Sequence, residues 1–124
     1  MRKAKSVLVV EDDDGIREAM QVFLEIEGYR VITAADGRQG LEALSKASKP
    51  CLILLDLMMP IMNGWEFADA LKDTRHADIP VVIVSAYADQ VGATKCEGVI
   101  AKPIDLDTLM ETVRKWCGNS LDQN

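Results

Sequence analysis

The run VLVVEDDD, Val7 to Asp14, sets four aliphatic residues directly against four acids. An apolar run without polar alternation suits a strand buried on both faces, the condition of a parallel sheet. Acids that follow such a strand at once fall on the sheet edge where its C-terminus emerges. In open α/β sheets that edge is where ligands bind.

Similar runs recur at Val31–Ile32, Leu52–Leu55, Val81–Val84 and Val99–Ala101. Helical spacing fills the intervals. Ile16, Met20, Phe23 and Leu24 recur at i, i+4, i+7 and i+8, and Gly28 ends that segment. Asp36 with Gln39 predicts a capping box before Leu41 and Leu44, in a helix closed by Pro50. Asn63 with Glu66 repeats the signature before Phe67 and Leu71. Asp105 predicts the cap of a last helix carrying Leu106, Leu109, Met110, Val113 and Trp116. At the first helix Asp14 is read as the cap. Between Ser85 and Lys102 the pattern yields one short helix near Ala88–Lys95. Five strands alternating with five helices predict an α/β fold with a five-stranded parallel sheet, order 2-1-3-4-5, and helices on both faces.

The 124 residues suit one domain over 1–118 with a polar tail over 119–124. Hydrophobic residues make up 48%, enough for a sizeable core. The net charge of −6 offers no basic face for nucleic acid and disfavours anionic membrane surfaces. No apolar span approaches membrane length, and the run after the basic start is too short for a signal peptide, so the expected location is cytoplasmic. Cys51, Cys96 and Cys117 are scattered, without a CxxC pair. Cys51 and Cys117 are read as small hydrophobic residues in a reducing compartment. His76, in the charged loop Asp73–Asp78, is read as solvated. Trp65 and Trp116 are read as packing residues at the core edge.

The strand ends carry the chemistry. The first run stops at Glu11 and Asp12, the third at Asp56, the fourth at Ser85 and the fifth at Lys102, before Pro103. In the order 2-1-3-4-5 strands 1 and 3 are neighbours, so Glu11, Asp12 and Asp56 converge with Ser85 and Lys102 on their flank. Crowded carboxylates repel unless a proton or cation relieves them. A hard divalent ion with oxygen ligands, Mg²⁺, is the natural relief. A carboxylate can attack phosphorus to give an acyl phosphate, helped by charge neutralisation. Taken singly, each residue has a plainer reading: a helix cap, a loop acid, a turn serine, a solvated lysine. Their shared edge outweighs those readings.

The motifs VLVVEDD (Val7–Asp13), LLDLMMPIMNG (Leu54–Gly64), VVIVSA (Val81–Ala86) and AKPI (Ala101–Ile104) resemble the receiver domains of two-component response regulators, the CheY-like superfamily. The likeness spans roughly Ser6 to Cys117 and fits a stand-alone receiver or one excised from a hybrid kinase. It implies that Asp56 accepts the phosphoryl group and that Glu11, Asp12, Asp56 and the backbone carbonyl of Met58 hold Mg²⁺. It implies that Ser85 turns its hydroxyl toward the phosphoryl group, that Lys102 pairs with it, and that the bond before Pro103 is cis. The implied donor is a phosphohistidine on a histidine kinase or histidine phosphotransfer protein, and the output is altered binding of a downstream protein. The domain would catalyse only its own phosphorylation and dephosphorylation.

Two departures stand out. Val99 occupies a position where many receivers carry an aromatic switch residue. The Ser85–Lys102 interval is about one helical turn short, so a shortened fourth helix is expected and the usual output face is in doubt. Met58 and Tyr87, two residues past Asp56 and Ser85, either shield the phosphoryl group from water or merely pack at the rim. Rival functions fit less well. An aspartyl-phosphate phosphatase wants an acid where Met58 stands. In a flavodoxin-like flavin site, EDDD would repel phosphate. A pseudo-receiver would not keep both acids, Asp56 and Lys102.

Overall fold

The computed structural model describes residues 5–46 and 48–119. Ten elements alternate: β1 (Ser6–Val10), α1 (Asp14–Ile26), β2 (Arg30–Ala34), α2 (Gly37–Lys46), β3 (Leu52–Leu55), α3 (Gly64–Leu71), β4 (Val81–Ser85), a 3₁₀ turn (Ala88–Gln90), β5 (Gly98–Ala101) and α4 (Leu106–Cys117). The strands form one parallel sheet in the order β2-β1-β3-β4-β5, as the alternation predicts.

Strand periodicity divides the core into two layers. Val7 and Val9 of β1, with Leu52 and Leu54 of β3, face Met20 and Leu24 of α1 and Leu109, Met110 and Val113 of α4. Leu8, Val10, Ile53 and Leu55 point the other way, onto Leu44 of α2 and Phe67, Ala68 and Leu71 of α3. Every residue of β3 is buried, so the strand reads as continuous LILL. Burying each such side chain contributes about 1.5–3 kcal/mol.

The capping signatures largely hold. Asn63 and Glu66 form the reciprocal box at α3, and Asp105 accepts from Thr108 N–H at 3.2 Å. Asp36 accepts from Gln39 N–H at 2.8 Å, while Gln39 reaches back to Ala35 N–H, one residue beyond a strict box. At α1 the cap is Asp13, whose carboxylate accepts from Ile16 N–H at 2.9 Å. Asp14, read as the cap, is instead the first helical residue; it suits the positive N-terminal end of the helix dipole.

Among the described residues four α-helices form rather than five. The short helix expected near Ala88–Lys95 contracts to the single 3₁₀ turn Ala88–Gln90. Gly92 follows with φ +65, a conformation that stops helix propagation, and the chain has little length left before β5. Trp65 is half-buried beside this segment, and its indole N–H donates to Gln90 O at 3.2 Å. Trp116 packs at the edge of the α1/α4 layer, as expected.

Two readings are corrected. His76 is buried, not solvated. Successive turns, with Thr74 N–H on Leu71 O, Ala77 N–H on Thr74 O and Ile79 N–H on His76 O, fold its loop tightly enough to cover the ring. Cys51 and Cys117 are not separate apolar residues; they are joined as a disulfide. Sixty-six positions apart in sequence, they meet because α4 runs back along the sheet to the start of β3, bringing their Cα atoms within 5.3 Å. Cys96 is the free cysteine. Of the expected polar tail, only Asn119 falls within the described residues. No described helix is long and apolar enough to cross a membrane.

Gly64 opens α3 directly beneath β3. A Cβ there would lie 2.2 Å from Asp56 O and 2.8 Å from Leu57 Cα, both backbone atoms with nowhere to move. Gly64→Ala is expected to cost about 3 kcal/mol in urea denaturation. It is also expected to disturb whatever chemistry Asp56 performs.

Candidate functional site

Each acid arrives at the end of a strand. Glu11 follows β1 and donates its N–H to Ala34 O of β2 at 2.9 Å. Asp56 follows β3 and donates its N–H to Val10 O of β1 at 3.0 Å. Ladder pairing of Val10 with Leu55 therefore sets the next residues, Glu11 and Asp56, side by side. Glu11 is 2% exposed and Asp56 6%, while Asp12 opens to solvent. One carboxylate oxygen from each of the three lies within 4.8 Å of the others.

Lys102 reaches in from the end of β5. Its Nζ donates to Glu11 Oε1 at 2.5 Å and to Asp56 Oδ2 at 3.4 Å. The following peptide bond, Lys102–Pro103, is cis, as the resemblance implies. Ser85 is fully buried at the end of β4, paired in register with Ala101. Lys102 N–H donates to Ser85 O at 3.1 Å. The Ser85 hydroxyl oxygen accepts from Tyr87 N–H at 3.0 Å, which leaves its hydrogen for another acceptor. Thus four expected residues, Glu11, Asp12, Asp56 and Lys102, share one pocket, and Ser85 stands one strand away. Met58 and Tyr87 are exposed, at 48% and 42%, on the two loops that border this edge.

Backbone donors hold the acids in place. Asp56 Oδ1 accepts from Leu57 N–H at 2.8 Å, and Glu11 Oε2 accepts from Asp13 N–H at 3.0 Å. Arg17 is a positioning residue that sequence reading passed over. Its guanidinium donates to Glu11 O at 2.9 Å and Asp12 O at 3.4 Å, and binds Asp14 Oδ1 at 2.5 Å. An arginine three residues past Asp14 on a helix was the available signal. Gly64 was passed over likewise, since a glycine's reason for being there lies in what it touches.

Three carboxylates against one ammonium leave the pocket short of two positive charges. Burial pushes the Glu11 carboxyl up to about 7. The Lys102 hydrogen bond and the Asp13 N–H pull it back, and the Asp56 charge adds to the rise. Burial also opposes the charged form of Lys102, yet the hydrogen bond and charge of Glu11, with Asp56 behind it, hold its pKa above the usual lysine value. All-oxygen donors with a deficit of two charges fit a hard divalent cation.

A profile of the response regulator receiver domain matches residues 7–114. The polar-differentiation response regulator DivK of Brucella anthropi is 33% identical over 124 residues, covering 94% of this chain and 98% of DivK. The transcriptional regulatory protein CseB of Streptomyces avermitilis is 36% identical over 119 residues. That match takes in 92% of this chain but spans only about half, 49%, of CseB. The response regulator TrrA of Thermotoga maritima, solved in complex with Mg²⁺-BeF, superposes with a TM-score of 0.81 at 29% identity, over 90% of this chain and 98% of TrrA.

This chain belongs to the response regulator receiver domain family. It is a receiver of two-component signalling, and its Glu11–Asp12–Asp56 pocket has the composition for Mg²⁺ and a phosphoryl-accepting aspartate.

The raised Glu11 pKa makes the receiver's stability depend on pH. A carboxyl that holds its proton more tightly when folded favours folding fully below its unfolded value of 4.5. That contribution is lost as pH rises through about 7. In chelator, wild type is expected to lose stability relative to Glu11→Gln across this window, by on the order of 3 kcal/mol at most. Urea midpoints of the pair should nearly coincide below pH 4.5, separate as pH rises toward about 7 and stay apart above it, with the variant the more stable. Lys102 titrates too high to contribute there.

Proposed function

We propose that Asp56 accepts a phosphoryl group from a phosphohistidine on a histidine kinase or phosphotransfer protein, and that the resulting charge alters binding of a downstream protein. The observation that carries this reading is the Lys102 ammonium lying between two buried carboxylates from adjacent strands, Glu11 and Asp56. Glu11, Asp12, Asp56 and the backbone carbonyl of Met58 would hold Mg²⁺. That ion would neutralise charge on the acids and on the transferring phosphoryl oxygens.

The chain's own residues have distinct tasks. Leu57 N–H fixes one Asp56 oxygen and so orients the carboxylate for in-line attack. Lys102 exchanges its short contact with Glu11 for one with a phosphoryl oxygen, stabilising charge as it develops. Ser85 supplies its remaining hydroxyl hydrogen to another phosphoryl oxygen. Met58 and Tyr87, exposed on the bordering loops, shield the acyl phosphate from water. Val99 is 44% exposed and carries no ring to follow Ser85 inward, so the signal leaves through Ser85, Tyr87 and the loop after β4. The domain spans residues 1–118. It turns over no external substrate beyond its own phosphorylation and dephosphorylation. A phosphohistidine donor charged from ATP would put the domain in the cytoplasm.

Acetyl phosphate or beryllofluoride tests this. Intact mass or NMR is expected to show one adduct on wild type that requires Mg²⁺ and is absent from Asp56→Asn. Lys102→Ala is expected to slow adduct formation roughly a hundredfold. An adduct that persists in Asp56→Asn would overturn the assignment, and steady release of phosphate from esters would point to a phosphatase. For shielding, Met58→Asn with Tyr87→Ala is expected to shorten the phosphoryl lifetime; an unchanged lifetime leaves both side chains as rim packing.

A further inference from the structure

Cys51 and Cys117 sit at the sheet edge opposite Asp56. Cys51 precedes β3, whose far end is Asp56, and Cys117 closes α4, which begins just past Lys102 and Pro103. Five residues of extended chain separate Cys51 from Asp56, roughly 17 Å. The bond therefore fastens the last turn of α4 to the sheet without touching the acidic pocket.

We propose that this pair is a reversible thiol–disulfide site through which cellular oxidation fastens or releases α4. Three observations carry the proposal. First, the cysteines are brought together by contacts that do not need the bond. Tyr29 O–H donates to Gly118 O at 2.6 Å, Lys5 Nζ donates to Cys117 O at 2.5 Å, and Val113 and Leu109 seat the helix in the core. With Cα atoms 5.3 Å apart, the pair can close without backbone movement. Second, the reduced form is also provided for. Cys51 Sγ lies 3.2 Å from Ser6 O, an acceptor that a disulfide sulfur, having no hydrogen, cannot use but a thiol can. Third, the two sulfurs differ in access. Cys117 is 3% exposed, whereas Cys51 is partly open, so a small thiol or disulfide enters at Cys51.

The oxidant is a small-molecule disulfide of the glutathione type. The Cys51 thiolate attacks one of its sulfurs, forming a mixed disulfide and releasing one thiol. The Cys117 thiolate then attacks Cys51 Sγ, forming the internal bond and releasing the second thiol. Two protein thiols are oxidised and one external disulfide is reduced to two thiols. Excess thiol drives the same steps backwards. The closed loop is long, so fastening restricts the unfolded chain strongly as well as the helix end.

The test equilibrates the full chain, without denaturant, in oxidised and reduced glutathione, stops exchange with acid, then alkylates in denaturant and counts thiols by intact mass. Oxidised protein is expected to present one alkylatable cysteine, Cys96, and reduced protein three. Reduction is expected to lower the melting temperature by about 10 °C and to quicken amide exchange in the last turn of α4. Cys51→Ala and Cys117→Ala should each abolish the glutathione dependence, while Cys96→Ala should keep it. Three labelled cysteines in oxidant, disulfide-linked dimers in place of the internal bond, or a bond that yields to thiol only after unfolding would each overturn the proposal. Phosphoryl uptake is not a readout, so the result stands apart from the role of Asp56.

Discussion

Buried like charges side by side are tolerated only where something cancels them. Pairing of β1 with β3 places Glu11 and Asp56 on neighbouring strands with almost no water to screen them. The Lys102 ammonium answers part of that repulsion, and Glu11 stays reluctant to ionise chiefly because it is buried, with the Asp56 charge adding to the effect. An apolar pair at those positions would make a more stable sheet edge. The pocket instead keeps a standing demand for positive charge, which a divalent cation would meet, and under the proposed function that ion would ready Asp56 for phosphorus.

The remaining architecture serves that edge. A parallel sheet sends all its strand ends one way, so four separate stretches of chain deliver Glu11, Asp56, Ser85 and Lys102 to one place. Helix starts press on the same edge. Gly64 lets α3 begin against the Asp56 carbonyl, and Asp13 turns the chain into α1 while its own N–H steadies Glu11. Arg17 ties the loop down from the first turn of α1. The surroundings of Asp56 are thus fixed largely by main chain, while Met58 and Tyr87 stand exposed on the bordering loops.

Much of this was legible in the sequence because the signals were local. Unbroken runs such as LILL marked strands buried on both faces, and Asn63 with Glu66 marked a helix start. The strand order, taken with the residues ending each run, brought the site together before any coordinates. What escaped was long-range or depended on small competing effects. Asp13 and Asp14 are both good caps, and only the turn geometry chooses between them. Gly92 and a short interval reduced an expected helix to one 3₁₀ turn. His76 was hidden by loop hydrogen bonds that charge pattern does not reveal. The Cys51–Cys117 pair depends on where α4 ends relative to β3, a distance no periodicity encodes.

The loss of most of the fourth helix has a structural consequence. Where a helix was expected beside β4 and β5, the chain from Val91 to Glu97 runs as irregular backbone, tied to β4 through Glu97 and following a turn tied to Trp65 through Gln90 O. Glu97 N–H bonds Val81 O at 2.8 Å, and its carboxylate takes Val81 N–H at 2.6 Å, so the end of this segment is gripped by β4. Under the proposed function a change at Ser85 would pass first to Tyr87, whose N–H rests on the Ser85 hydroxyl, and from there to the 3₁₀ turn and the Trp65 contact. Val99 carries no ring, so under the proposed function a shift at Ser85 would run through the loop after β4, while Leu109, Met110 and Val113 seat α4 in the core of the other layer.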